Sequence, residues 1–191
     1  MGKPGSFIKR LTDILFSIII LIVTSPILLI SAIAIKLDSR GPVFFIQNRS
    51  GLNGKSFPMI KFRGMVENAN EIGPALTLIN DPRITRVGKW LRRTSIDEIP
   101  QVFNVLKGEM SLIGPRPEIV PITRNYTVEQ KKVFNFKPGI TGFSQVNGRQ
   151  MLTPNERIDM EVKYYSRANF WSDLIIMFLT FKVVLSNKGN I

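Results

Sequence analysis

The chain has 191 residues, enough for one domain of ordinary size, and 26 Lys and Arg against 14 Asp and Glu give a net charge of +12. That balance suggests an anionic partner: nucleic acid, an anionic membrane surface or a phosphorylated substrate. With no Cys and no His, disulfides, thiolate metal sites, the common zinc sites and His-dependent triads are excluded, so a catalyst here works with carboxylates, hydroxyls, Lys, Arg or Tyr and a metal is a hard, oxygen-ligated ion.

Residues 14–35, ILFSIIILIVTSPILLISAIAI, carry no charge. As a straight helix they would reach roughly 33 Å, about one bilayer core. Two features argue against a straight span. Pro26, after Ser25, removes a backbone donor and its ring clashes with the carbonyl four residues back, so a kink is expected. Basic residues flank both ends, Lys3, Lys9 and Arg10 before and Lys36 and Arg40 after, so neither side is marked as cytoplasmic. A helix that enters, turns at Ser25-Pro26 and leaves by the same face satisfies both; the Thr24 or Ser25 hydroxyl would serve the freed carbonyls. A kinked span satisfies the residues as well.

VFFIQ (43–47) and FPMIKF (57–62) read as two strands of a hairpin, with Asn53-Gly54 in the loop. PQVFNVLKG (100–108) reads as a short helix stopped by Gly108. TPNE (153–156) opens another helix, with Thr153 as cap, Pro154 at the first position and Glu156 closing a capping box; Ile158, Val162 and Tyr165 give it an apolar face. The tail, 173–188, has an apolar stretch from Leu174 to Leu185 interrupted by Thr180 and Lys182. It is too short to span, and is either a core helix or one lying in the membrane interface behind Phe170 and Trp171.

Asp97 and Glu98 stand side by side in RRTSIDEIPQ (92–101). One reading is a helix start. Ser95-x-x-Glu98 matches a capping box, weakened by Pro100; starting at Asp97 instead puts Pro100 in the first turn. The other reading is chemical. A helix N-terminus attracts phosphate, and a carboxylate can attack phosphorus directly if a divalent cation and basic side chains neutralise the meeting anions. Lys61, Arg92, Arg93 and Arg116 are candidates for the basic side chains; Arg116 stands out because Gly-Pro before it and Pro after it make a rigid loop.

SPILL in an apolar N-terminus, KFRGM (61–65), RRTSIDEIPQVFNVLKGEMSLIGPRP (92–117) and KPGITGFSQVNGR (137–149) together resemble the bacterial sugar transferases called monotopic phosphoglycosyl transferases, in their small single-domain form. The likeness runs from about residue 6 to 186. It implies an α/β, mainly helical, monotopic membrane protein: a re-entrant helix over 1–38, broken at Ser25-Pro26, and a catalytic domain over 39–191 with amphipathic interfacial helices on the cytoplasmic face of the inner membrane. It implies transfer of a sugar 1-phosphate from a UDP-sugar to undecaprenyl phosphate, with Mg²⁺ and release of UMP. Asp97 falls at the nucleophile position and also at a metal contact, Glu98 at its partner, and Lys61, Arg92 and Arg116 at phosphate-binding positions. Gly64 departs from the Ser or Thr usual there. Arg149, in a Gly-rich loop, is a possible donor contact or part of a structural turn. Two rivals stay open: a membrane-tethered basic binding module without catalysis, and one-step transfer in a ternary complex. No nucleic-acid motif is present, and the aromatics are not interleaved with the basic residues.

Overall fold

The computed structural model describes residues 7–74, 77–78, 80–148 and 152–186. Helix α1, Phe7–Asp38, takes up the apolar run and keeps helical backbone through Pro26. Pro26 leaves the Ile22 carbonyl without its usual donor, and the Ser25 hydroxyl donates to that oxygen at 2.9 Å; Thr24 donates to Ile20 O at 2.6 Å. Among the described residues α1 alone is long and apolar enough to cross a membrane, and only 11% of its most apolar window is buried. A core helix is thereby excluded.

Both ends of α1 are fastened to the rest of the protein. Near its start, Arg10 donates to the carbonyls of Val105 and Leu106, and Asp13 accepts from Ser111 Oγ and Leu112 N. At its far end Ile35 enters a core with Phe62, Leu91 and Ile96, and Asp38 accepts from Val87 N at 3.0 Å. Each buried aliphatic side chain of this kind contributes about 1.5–3 kcal/mol.

The expected hairpin is present: β1, Phe44–Ser50, pairs antiparallel with β2, Ser56–Phe62, with Phe45 opposite Lys61, and a 3-10 turn over Leu52–Gly54 fills the loop. The short helix α2, Ala69–Ile72, follows. Helix α3, Arg86–Thr94, was not legible as a unit. Its Thr85 cap accepts from Gly88 N, and it ends at Ser95 with φ 59°. A 3-10 turn, Ile96–Gln101, then runs straight into helix α4, Val102–Lys107, which stops at Gly108 with φ 89°, as the sequence indicates.

Beyond α4, β3 (Ser111–Ile113) pairs in parallel with β4 (Gly139–Thr141); between them lies the short helix α5, Val120–Thr123, and a 3-10 turn over Gln130–Asn135. Helix α6, Phe143–Val146, precedes α7, Pro154–Tyr165, whose capping box of Thr153 and Glu156 forms as expected. Ile158, Val162 and Tyr165 of α7 are buried, the first two against Tyr126 and Val133. In helix α8, Phe170–Ser186, Ile176 is buried, while Trp171, Ile175, Phe178 and Phe181 recur at helical spacing and are 59–72% exposed. The opposite face packs on β3, β4 and α6.

Candidate active site

Close backbone contact sets the site. Gly88 lets α3 lie against Gly64 at the end of β2, where a Cβ would meet Gly64 O at 2.0 Å. One turn later α3 presents Arg92. Gly64 leaves room beside it: a Cβ there would sit 3.2 Å from Arg92 Nε. Asn104 of α4, fully buried, bridges to β2 through Ile60 N at 3.0 Å and Pro58 O at 2.8 Å. That bridge holds the Asp97-Glu98 turn over Lys61. The parallel β3–β4 pair extends into backbone bonds from Gly114 N to Thr141 O at 3.0 Å and from Gly139 N to Pro115 O at 2.9 Å. These carry Arg116 in from the other side.

Glu98 Oε1 accepts from Lys61 Nζ at 2.7 Å and Arg116 Nη2 at 3.1 Å. The capping reading of this stretch is therefore corrected. No side-chain cap bond forms at Ser95, Asp97 is one residue inside the 3-10 turn rather than its cap, and the Glu98 carboxylate is engaged by cations across the site. Pro100, which has no N–H to give, lies inside this 3-10 turn. Burial opposes ionisation of Glu98, yet Lys61 and Arg116 outweigh it and hold the carboxyl well below its usual range.

Asp97 is the opposite case. It makes no hydrogen bond to a described residue, and burial pushes its pKa up to about 6 against the pull of Lys61, with the Glu98 charge adding to the rise and Arg92 and Arg116 opposing it. The two neighbouring acids are thus driven apart: the cations beside Glu98 hold its pKa down, while burial holds that of the unpaired Asp97 up. Arg92 donates to Thr77 Oγ1 at 3.1 Å, and burial lowers its pKa. The Glu98 charge raises that of Arg116. The structure therefore brings Lys61, Arg92, Asp97, Glu98 and Arg116 together; Arg149 lies outside the described residues.

One member was missed. Arg49, on the inner face of β1 with Lys61's partner Phe45, is half-buried, donates to Gln47 Oε1 at 2.8 Å and lies 3.6 Å from Glu118, which also pairs with Arg157. Burial, then the like charge of Arg116, lowers its pKa to about 10, and its Nε has no partner. The alternation of the strand puts residues 45, 47 and 49 on Lys61's face, which was the available signal.

Asp97 is the residue here that could hold a metal. Mg²⁺ is commonly held by one or two carboxylates with substrate phosphates completing its shell; Asp97 offers an unbonded carboxylate, and no larger cluster of acidic ligands exists among the described residues.

Two adjacent acids, one paired with cations and one not, thus lie among Lys and Arg side chains beside a long apolar helix. Comparison with known proteins places the chain in a family: residues 4–187 match the bacterial sugar transferase model, and the chain belongs to that family. It is 43% identical over 187 residues to an undecaprenyl-phosphate glucose phosphotransferase of Komagataeibacter xylinus, covering 91% of this chain and 35% of the relative. It is 40% identical to an undecaprenyl-phosphate galactose phosphotransferase of Salmonella typhimurium, covering 98% and 42%. It is also 40% identical to the uncharacterized sugar transferase EpsL of Bacillus subtilis, covering 95% and 89%. The chain thus spans under half the length of the first two and nearly all of the third.

Proposed function

We propose that this protein transfers a sugar 1-phosphate from a UDP-sugar to undecaprenyl phosphate, releasing UMP, through a covalent intermediate on Asp97. The observation that carries this reading is the contrast within the acid pair: Glu98 is consumed by Lys61 and Arg116, while Asp97 beside it is unpaired. The names of the glucose and galactose phosphotransferase relatives support the acceptor and the sugar-phosphate cargo.

In the first half-reaction an Asp97 carboxylate oxygen attacks the phosphorus that bears the sugar. An O–P bond forms, the P–O bond to UMP breaks, and UMP leaves with that electron pair. In the second, an oxygen of undecaprenyl phosphate attacks the same phosphorus, forming the lipid diphosphate and returning Asp97 as carboxylate. Asp97 is the residue that would hold Mg²⁺, which would neutralise charge where anion meets anion. Lys61, Arg92 and Arg116 supply fixed positive charge to the phosphate oxygens, and Glu98 holds Lys61 and Arg116 in place before substrate arrives. No imidazole is needed, since the nucleophile is already an anion above about pH 6.

A covalent carrier also suits substrates from two phases. Because both ends of α1 are bonded to one folded body, they would lie on one side of the membrane, with the helix bending at Ser25-Pro26 inside a single leaflet. The exposed apolar face of α8 would rest in the same leaflet. The site then sits at headgroup depth on the cytoplasmic face of the inner membrane, reachable by UDP-sugar and lipid phosphate alike. The test is UMP release from a panel of UDP-sugars with undecaprenyl phosphate. Wild-type protein should turn over at least one sugar and Asp97→Asn none; equal turnover by the variant would refute the assignment.

A further inference from the structure

Helix α7 aims one side chain inward that its packing does not require. Glu161 lies on the same face as Ile158, Val162 and Tyr165 and is 1% exposed. A carboxylate there costs more than an apolar residue of equal size unless its bonds do something specific. Those bonds reach two different loops. Oε1 accepts from Ser144 N at 3.3 Å, from the Ser144 hydroxyl, and from the main-chain N–H of Arg116 at 3.5 Å. The other oxygen is buried with no partner.

The two loops are already in backbone contact through Gly114, Gly139 and Thr141, and Gly142 lies so near that a Cβ would meet Gly114 O at 2.1 Å. Those contacts end at Pro115. Glu161 takes hold of the next residue, whose guanidinium meets Glu98. We propose that Glu161 is a positioning residue: it fastens the Arg116 main chain to the loop at Ser144, so that the Arg116 guanidinium is held ready for the substrate's diphosphate. This rests on the reading of the site as a phosphate site. An oxygen acceptor at this one point, rather than negative charge, is what the role needs. Burial keeps the carboxyl protonated up to about pH 7, and the groups around it are the Ser144 and Arg116 donors, Arg157, Tyr126, Tyr164 and Tyr165.

The test is calorimetric binding of inorganic pyrophosphate with Mg²⁺ to the full chain in lipid nanodiscs. Glu161→Gln keeps the acceptor and should bind within about twofold of wild type. Glu161→Met keeps length and volume but loses the acceptor and should bind about tenfold more weakly. Glu161→Asp, which keeps the carboxyl group but withdraws the oxygen, should weaken binding too and serves if the Met variant does not fold. Arg116→Ala should weaken binding at least as much as Glu161→Met, and combining the two should add little, because the losses pass through one guanidinium. A role confined to packing would lower thermal stability and leave pyrophosphate affinity unchanged. Wild-type affinity in both the Met and Asp variants, full additivity with Arg116→Ala, or a Gln variant as weak as the Met variant would overturn the proposal. Absence of pyrophosphate binding by wild type would overturn the phosphate-site reading itself, whereas binding without UMP release would leave this inference standing and refute only the reaction.

Discussion

Replacing Asp97 by Asn should abolish turnover and make the protein more stable. Asp97 is ionised at pH 8 in a place that raises its pKa from 3.8 to about 6, a rise that corresponds to at most about 3 kcal/mol of destabilisation relative to a neutral side chain. The site opens to water at its rim, so about 1–2 kcal/mol is expected, or roughly 3–6 °C in melting temperature for a chain of this size. The sign fixes the pH dependence. An acid whose folded pKa lies above its unfolded value takes up a proton more readily when folded, so wild type recovers stability as pH falls through about 6. The amide does not titrate. The gap between Asp97→Asn and wild type should therefore be full at pH 8, narrow through pH 6 and vanish below about pH 4. Thermal unfolding in nanodiscs, followed by intrinsic fluorescence from pH 4 to 8, measures it, with UMP release as the companion assay. An Asn variant no more stable than wild type at pH 8, or a gap that does not close in acid, would refute the claim that this carboxylate is held charged at a cost.

The neighbours of Asp97 should move its titration in opposite directions. Glu98→Gln removes a charge that raises the Asp97 pKa, so the acid limb of the first half-reaction shifts to lower pH; Lys61→Met removes the strongest opposing cation and shifts it to higher pH. Both variants should also lose at least about tenfold in rate, measured as UMP release in single turnovers. Because the chain has no Cys, single cysteines at Ile8 and Arg40 report topology directly: both should react with an impermeant maleimide from the cytoplasmic side of inverted vesicles, and labelling from opposite sides would show a span. Trp171, 71% exposed on α8, should be quenched by lipids brominated near the headgroup in a Trp90→Phe background; emission insensitive to bromolipid would remove α8 from the membrane surface.

Much of this arrangement was readable in the chain because it depends on local rules. The hairpin, the stop at Gly108 and the capping box at Thr153 each follow from residues within a few positions of one another. The Ser25 hydroxyl on the Ile22 carbonyl likewise answers a vacancy that Pro26 alone creates. Asp97 and Glu98 could be singled out, but their division of labour could not, since it is set by Lys61 from β2 and Arg116 from a distant loop. Ser95-x-x-Glu98 misled for that reason: local spacing offered Glu98 a backbone partner, and two cations from elsewhere in the chain hold it instead. Helix α3 escaped notice because its only fully buried apolar residue is Leu91 and its placement rests on Gly88 touching Gly64, a contact with no period. Glu161 was not singled out, because its partners Arg116 and Ser144 come from loops that only the fold brings to it.

Incubating the protein with Mg²⁺ and a UDP-sugar carrying a labelled sugar, without any lipid acceptor, tests the central claim most directly. About one equivalent of UMP per enzyme should appear in a burst, and peptide mass spectrometry should find the sugar phosphate on Asp97, where added undecaprenyl phosphate then removes it. UMP that appears only when both substrates are present, with Asp97 unmodified, would contradict the account and leave the acid pair as a metal site in a one-step transfer.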